Sequence, residues 1–165
     1  MDAENFHPVF DGLWTSGQLS ARDIATLPGL GVKSVVNLAL PTAGNALPGE
    51  AELVTGLGMN YFQIPVPWDR PEPHHLQRFF SVLQGVPGEP TWVHCAKNMR
   101  ASAFVYLYRR LCRDEPDEVA AFPLRAVWTP NETWNRFIAT ALQRGLDAVP
   151  GGTVASGVVL ERGGA

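Results

Sequence analysis

The chain reads as an α/β protein, with a central, mainly parallel sheet flanked by helices. Three observations carry that reading. Apolar runs of strand length ("KSVVNLAL", "NYFQIPV", "PTWVH") alternate with stretches whose apolar residues recur at helical spacing. Capping residues and glycines punctuate the boundaries between the two. Strands that alternate with helices pair in parallel and are covered on both faces.

Taken in order, residues 1–19 are short apolar pieces broken by Pro8, Gly12 and Gly17, which suits a small β-hairpin or edge strand. Ser20 with Asp23 three residues on has capping-box spacing, and Gly29 and Gly31 close the helix. "KSVVNLAL" is rich in β-branched residues, as strands are, and "PTAGNALP" is a loop. "GEAELVTGLG" carries acids in its first turn and glycines at its end, the pattern of a short helix. "NYFQIPV" is the next strand and "PWDRPEP" the loop leaving it. Leu76, Phe79, Phe80 and Leu83 stand at i, i+3, i+4 and i+7 of an amphipathic helix. "PTWVH" is a third central strand, and Phe104, Leu107, Tyr108 and Leu111 repeat the helical spacing. Thr129, Pro130 and Glu132 read as a capping box with proline at the first helical position, ahead of an apolar face of Trp134, Phe137, Ile138 and Ala141. Residues 1–149 are expected to form a single domain and the Gly-rich residues 150–165 a loose tail.

Composition narrows the function. With 45% hydrophobic residues, 18% charged residues and a net charge of −3, the chain lacks the basic face of a nucleic-acid binder. No apolar run reaches the ~18 residues of a membrane span. The first residues include two acids and no apolar core of a signal peptide, so a cytoplasmic protein with reduced thiols is expected. Cys95 and Cys112 are too few for a disulfide framework and lack metal-ligand spacing. His74 and His75, being adjacent on a helix, are expected to point apart on a solvated face, and no metal or cofactor is expected. The charged run "RRLCRDEPDE" reads as surface.

The chemistry concentrates in "TWVHCAKNMRASAF". Cys95 follows a strand and Arg100 opens a helix, with Ala96, Lys97, Asn98 and Met99 between them. A helix N-terminus offers unpaired N–H groups and a partial positive charge, to which Lys97 and Arg100 add two full charges. Such surroundings lower a thiol from ~8.5 toward ~3.5–7.5. The same donors cradle an oxyanion, which the Arg100 fork grips at two oxygens. Asn98 tolerates the positive φ a tight anion loop demands. His94 is placed to hydrogen-bond the backbone around the nucleophile, Ser102 to bring its hydroxyl near the sulfur, and Gln18 to close the base of the loop.

"VHCAKNMRASAF" resembles the signature loop of the cysteine-dependent protein tyrosine and dual-specificity phosphatases. "LWTSGQLSARDIATLPGLGVKSVVNLAL", "NYFQIPV" and "VWTPNETWNRFI" are similar to a bacterial phosphatase-like family, over roughly residues 10–142. The resemblance implies a compact phosphatase fold with Cys95 as nucleophile and Arg100 as phosphate ligand. It also implies a general acid on the loop opposite, where Asp69 stands beside Trp68 and among stiffening prolines. The substrate implied is a phosphorylated protein or small molecule. One departure stands out: the phosphatase signature spaces Cys and Arg by five residues, and here there are four, the length found in rhodanese-type sulfurtransferases. Three readings follow: a phosphatase, a sulfurtransferase carrying a Cys95 persulfide, and a non-catalytic anion-binding module.

Overall fold

The computed structural model describes residues 1–145; the expected tail, 150–165, and the last residues of the expected domain lie outside the described residues. Five strands form one sheet: β1 (His7–Phe10), β2 (Leu13–Ser16), β3 (Ser34–Asn37), β4 (Asn60–Gln63) and β5 (Thr91–His94). Their order is β1-β2-β5-β3-β4, so β5 is central. The β1–β2 hairpin is antiparallel, and the β2–β5, β5–β3 and β3–β4 pairs are parallel. The mainly parallel sheet expected from the alternating pattern is thus the one observed.

Both faces are covered, as buried parallel strands require. Val35 and Trp92 join Ile24 of α1 (Ala21–Thr26) and Val54 of α2 (Glu50–Gly56) on one side. Val36 and Val93, one residue along each strand, face the other side with Phe79 of α3 (Pro73–Gly85), Phe104 of α4 (Met99–Leu111) and Trp134 of α7 (Glu132–Arg144). All four residues of β3 and of β5 are buried. Among the described residues no helix is long and apolar enough to cross a membrane.

Local chemistry explains the boundaries. Ser20 caps α1 in a complete capping box with Asp23. β3 stops at Asn37, three residues earlier than "KSVVNLAL" suggests, because the Asn37 side chain accepts the Ala39 N–H at 2.9 Å and turns the chain away. β4 likewise ends at Gln63, although Ile64 and Val66 still donate to Asn37 and Leu38 at 2.9 and 3.0 Å. The last helix is capped by Asn131, whose side chain accepts from Trp134 N at 3.0 Å; Thr129 and Pro130 lie before it. Proline disfavours helical geometry at the residue it follows, and Asn is the stronger cap.

Two surface readings are corrected. Arg109, within the charged run, is buried: it donates to Glu115 at 2.7 Å and to the Phe122 carbonyl at 2.7 Å, tying α4 to two short helices, α5 (Asp117–Ala120) and α6 (Leu124–Val127). His74 and His75 do not diverge; their rings lie 4.0 Å apart, and the buried His75 accepts the Glu72 N–H to cap α3.

Candidate active site

The site forms where β5 ends. Cys95 is the first residue past the central strand, and α4 starts at Met99, so the intervening loop turns through Asn98 at φ +67°. That left-handed value is the one anticipated for Asn98. Its side-chain amide donates to the Asn5 carbonyl at 2.7 Å and to Thr15 Oγ1 at 3.0 Å, fastening the loop to the N-terminal hairpin. Cys95, Ala96, Lys97, Met99 and Arg100 line a cavity of about 280 Å³, with Trp68 as its outer wall. Cys95 is 1% exposed, and Ala101 N–H, in the first turn of α4, donates to its sulfur at 3.5 Å. Arg100 is also buried; one guanidinium nitrogen donates to the Val66 carbonyl at 2.8 Å, which ties the side chain to the loop after β4.

The loop carbonyls are held from outside. Ala96 O accepts from Gln18 N at 3.1 Å and from the Asn45 side chain at 3.0 Å, and Lys97 O accepts from the Asn5 side chain at 3.0 Å. Because a peptide unit is planar and trans, the N–H groups of Lys97 and Asn98 are turned away from those partners. Gly17 makes the close approach possible: a Cβ there would sit 2.9 Å from Ala96 O and 3.2 Å from Lys97 Cα, both backbone atoms. Gly17→Ala is expected to displace the loop and weaken inorganic phosphate binding roughly tenfold or more, about 1.4 kcal/mol; titration calorimetry with phosphate checks it, and unchanged affinity would show the loop to be compliant.

Behind Cys95, His94 is fully buried. Its Nε2 lies 2.8 Å from Glu50 Oε2 and its Nδ1 3.3 Å from the Cys95 carbonyl oxygen. Glu50, 5% exposed, also receives the Gln18 side-chain amide and, at 3.2 Å, that of Asn37. Burial pushes the Glu50 carboxyl up, yet His94, Gln18 and Tyr61 together hold it below the usual carboxylate range.

The structure therefore brings together Cys95, Arg100, the whole 96–99 loop and His94. It does not bring in two others. Ser102 is buried, but its hydroxyl donates to Met99 O at 3.0 Å; a serine in the first helical turn reaches back to the carbonyl three residues before it, and the sulfur is met by the Ala101 amide instead. Asp69 is exposed and lines a neighbouring groove of about 380 Å³ with Arg70, Leu76, Arg136 and Phe137, while its neighbour Trp68 faces the Cys95 cavity. Cys112 closes α4 half-buried, its thiol pushed up to about 11 by burial, which fits an inert structural role. Sequence reasoning passed over Glu50 as an ordinary first-turn acid; the signal for it is its place on the helix that packs beside the strand ends.

No family model and no curated protein matches the chain. Solved structures do. A DUF442 protein of Shewanella putrefaciens CN-32, named as a candidate phosphatase, is 28% identical and superposes with a TM-score of 0.79 over 87% of this chain and 95% of that one. The core catalytic domain of the PP-IP phosphatase SIW14 from S. cerevisiae is 18% identical, with a TM-score of 0.65 over 86% of this chain and 87% of its own. This is a cysteine-phosphatase fold. A third chain with this fold, TpbA of P. aeruginosa in complex with pTyr, is 19% identical, with a TM-score of 0.61 over 87% of this chain and 85% of its own.

Proposed function

We propose that the chain is a cysteine-dependent phosphatase that hydrolyses a phosphate monoester through a phosphocysteine at Cys95. The observation that carries the reading is the shared cavity. A buried thiol, a buried guanidinium and a helix N-terminus converge on one space at the carboxyl end of the central strand. The likeness to the Shewanella candidate phosphatase supports it.

In this mechanism Cys95 Sγ, as thiolate, attacks phosphorus; the S–P bond forms as the ester P–O bond breaks. The Arg100 fork and the loop amides hold the oxygens on which charge develops. Asp69, on the loop that also carries Trp68, delivers its proton to the leaving oxygen. Water then attacks the phosphocysteine, gives its proton to the Asp69 carboxylate, and releases orthophosphate and the thiolate. The substrate is a phosphorylated protein or small molecule, and free Cys95 and Cys112 suit a reducing cytoplasm.

The reading is tested by acid-quenching turnover of p-nitrophenyl phosphate and weighing the tryptic peptide that holds Cys95. A transient phosphate adduct is expected. No adduct and no turnover, with a sulfur adduct on Cys95 after thiosulfate, would replace the phosphatase with a sulfurtransferase. For Asp69→Asn, hydrolysis of an alkyl phosphate is expected to fall ~10²–10⁴-fold and that of an aryl phosphate much less, since a phenolate leaves unaided. Equal losses on both would remove Asp69 from the proton transfer.

A further inference from the structure

We propose that Glu50 is a positioning residue for the nucleophile, holding His94 as an imidazolium whose second N–H is fastened to the Cys95 carbonyl. The inference rests on the reading of Cys95 as a reactive thiol. The His94 ring has no access to water, so its two nitrogens depend on protein partners.

His94 has two polar contacts: a carbonyl oxygen, which can only accept, at Nδ1, and at Nε2 the Glu50 carboxyl, whose two oxygens each already accept a side-chain amide and which therefore stands as an acceptor. A neutral imidazole carries one N–H and one lone pair, so one contact would set a lone pair against an acceptor. The doubly protonated ring satisfies both. Glu50 must then be ionised, and its surroundings are built for that: the side-chain amide of Gln18 donates to one of its oxygens and that of Asn37 to the other. The nearby Tyr61 adds no second negative charge, since burial and the charge of Glu50 push its ionisation well up, and its hydroxyl donates to Gln63 at 3.4 Å.

The charged and titratable groups that meet the pair come from several elements. Glu50 itself stands on α2, as does Glu52, whose charge is felt at Tyr61. Tyr61 stands on β4, and Cys95 follows β5 directly. Gln18, before α1, and Asn37 on β3 are neutral. The cation is therefore one residue from the thiol, while its counter-ion comes from a different element of the fold. A carboxylate with no contact to the cavity thus governs both the orientation of the nucleophile's peptide and the charge beside it.

Glu50→Gln separates charge from orientation. The glutamine amide can donate to Nε2 of a neutral His94, leaving Nδ1–H on the Cys95 carbonyl, so the ring keeps its place and loses its charge. The readout is the rate of Cys95 alkylation by iodoacetamide, followed by mass across acidic to alkaline pH in a Cys112→Ser background. The pH of half-maximal rate is expected to rise by about one unit in Glu50→Gln, because the nearer positive charge is lost with the farther negative one. An unchanged or lowered midpoint overturns the proposal: with a neutral His94, deleting an anion would favour the thiolate. A merely structural Glu50 would move the melting temperature and leave the midpoint in place.

Should Glu50→Gln fail to fold, the nitrogen-15 shifts of the His94 ring in the wild-type protein decide the matter. Two protonated nitrogens at neutral pH are expected, and a neutral tautomer refutes the assignment. Alkylation needs no turnover. A shifted midpoint in a protein without phosphatase activity would therefore remove the proposed reaction and leave the role of Glu50 standing.

Discussion

Cys95→Ser is expected to abolish hydrolysis of p-nitrophenyl phosphate, a fall on the order of 10⁴–10⁶-fold in kcat. The serine hydroxyl stays protonated at neutral pH, so the attacking anion is lost. The anion cradle is not: the loop carbonyls remain held by Gln18, Asn45 and Asn5, and Arg100 remains on Val66 O. The variant should therefore still bind inorganic phosphate with near wild-type affinity and melt near the wild-type temperature. Kinetics and phosphate titration on the same preparation check both halves. Residual turnover within tenfold of wild type would place the nucleophile elsewhere, since Cys112 is half-buried at the far end of α4.

Trp134→Ala carries the largest expected effect on stability. The indole is fully buried among Phe104, Phe137, Trp68 and Trp128, with ring centroids 5.5–6.1 Å away. Removing it leaves a cavity costing about 3–5 kcal/mol. For a chain of this length that lowers Tm by roughly 6–20 °C at about 2–4 °C per kcal/mol. A second consequence reaches the cavity, because Trp134 Nε1 donates to the Trp68 carbonyl at 2.8 Å. Trp134→Phe keeps most of the packing and loses that bond, so it should melt closer to wild type yet raise KM for aryl phosphates as Trp68 loosens. Calorimetric melts and Michaelis–Menten kinetics on both variants separate the two effects. A Trp134→Phe enzyme with unchanged KM would show that packing alone places Trp68.

The parts of this arrangement legible in the sequence are those that obey local rules. Alternating strand and helix periods gave the parallel sheet, and the Ser20–Asp23 box, the Asn98 turn and the Cys95–Arg100 loop follow from near neighbours. What was hidden depends on residues far apart in the chain. Glu50 lies 44 positions from His94, and its first-turn place on α2 resembles any helix-start acid. Arg109 looks like surface until the α5–α6 segment folds over it. Ser102 stands two residues past Arg100, and helical geometry turns its hydroxyl back onto Met99. The Asp69 position depends on how a proline-rich loop leaves β4, which neither periodicity nor capping determines.

The outward anchoring of the Ala96 and Lys97 carbonyls divides labour within the loop. Holding the backbone falls to Gln18, Asn45, Asn5 and Asn98, whose side chains or amides engage it from behind. Lys97 is exposed and Met99 half-buried at the cavity, and neither side chain is among the groups that fasten the loop. Those two positions are therefore open to replacement without rebuilding the cradle. Preference for one phosphorylated compound over another could be rewritten at positions 97 and 99 while the reacting centre keeps its shape.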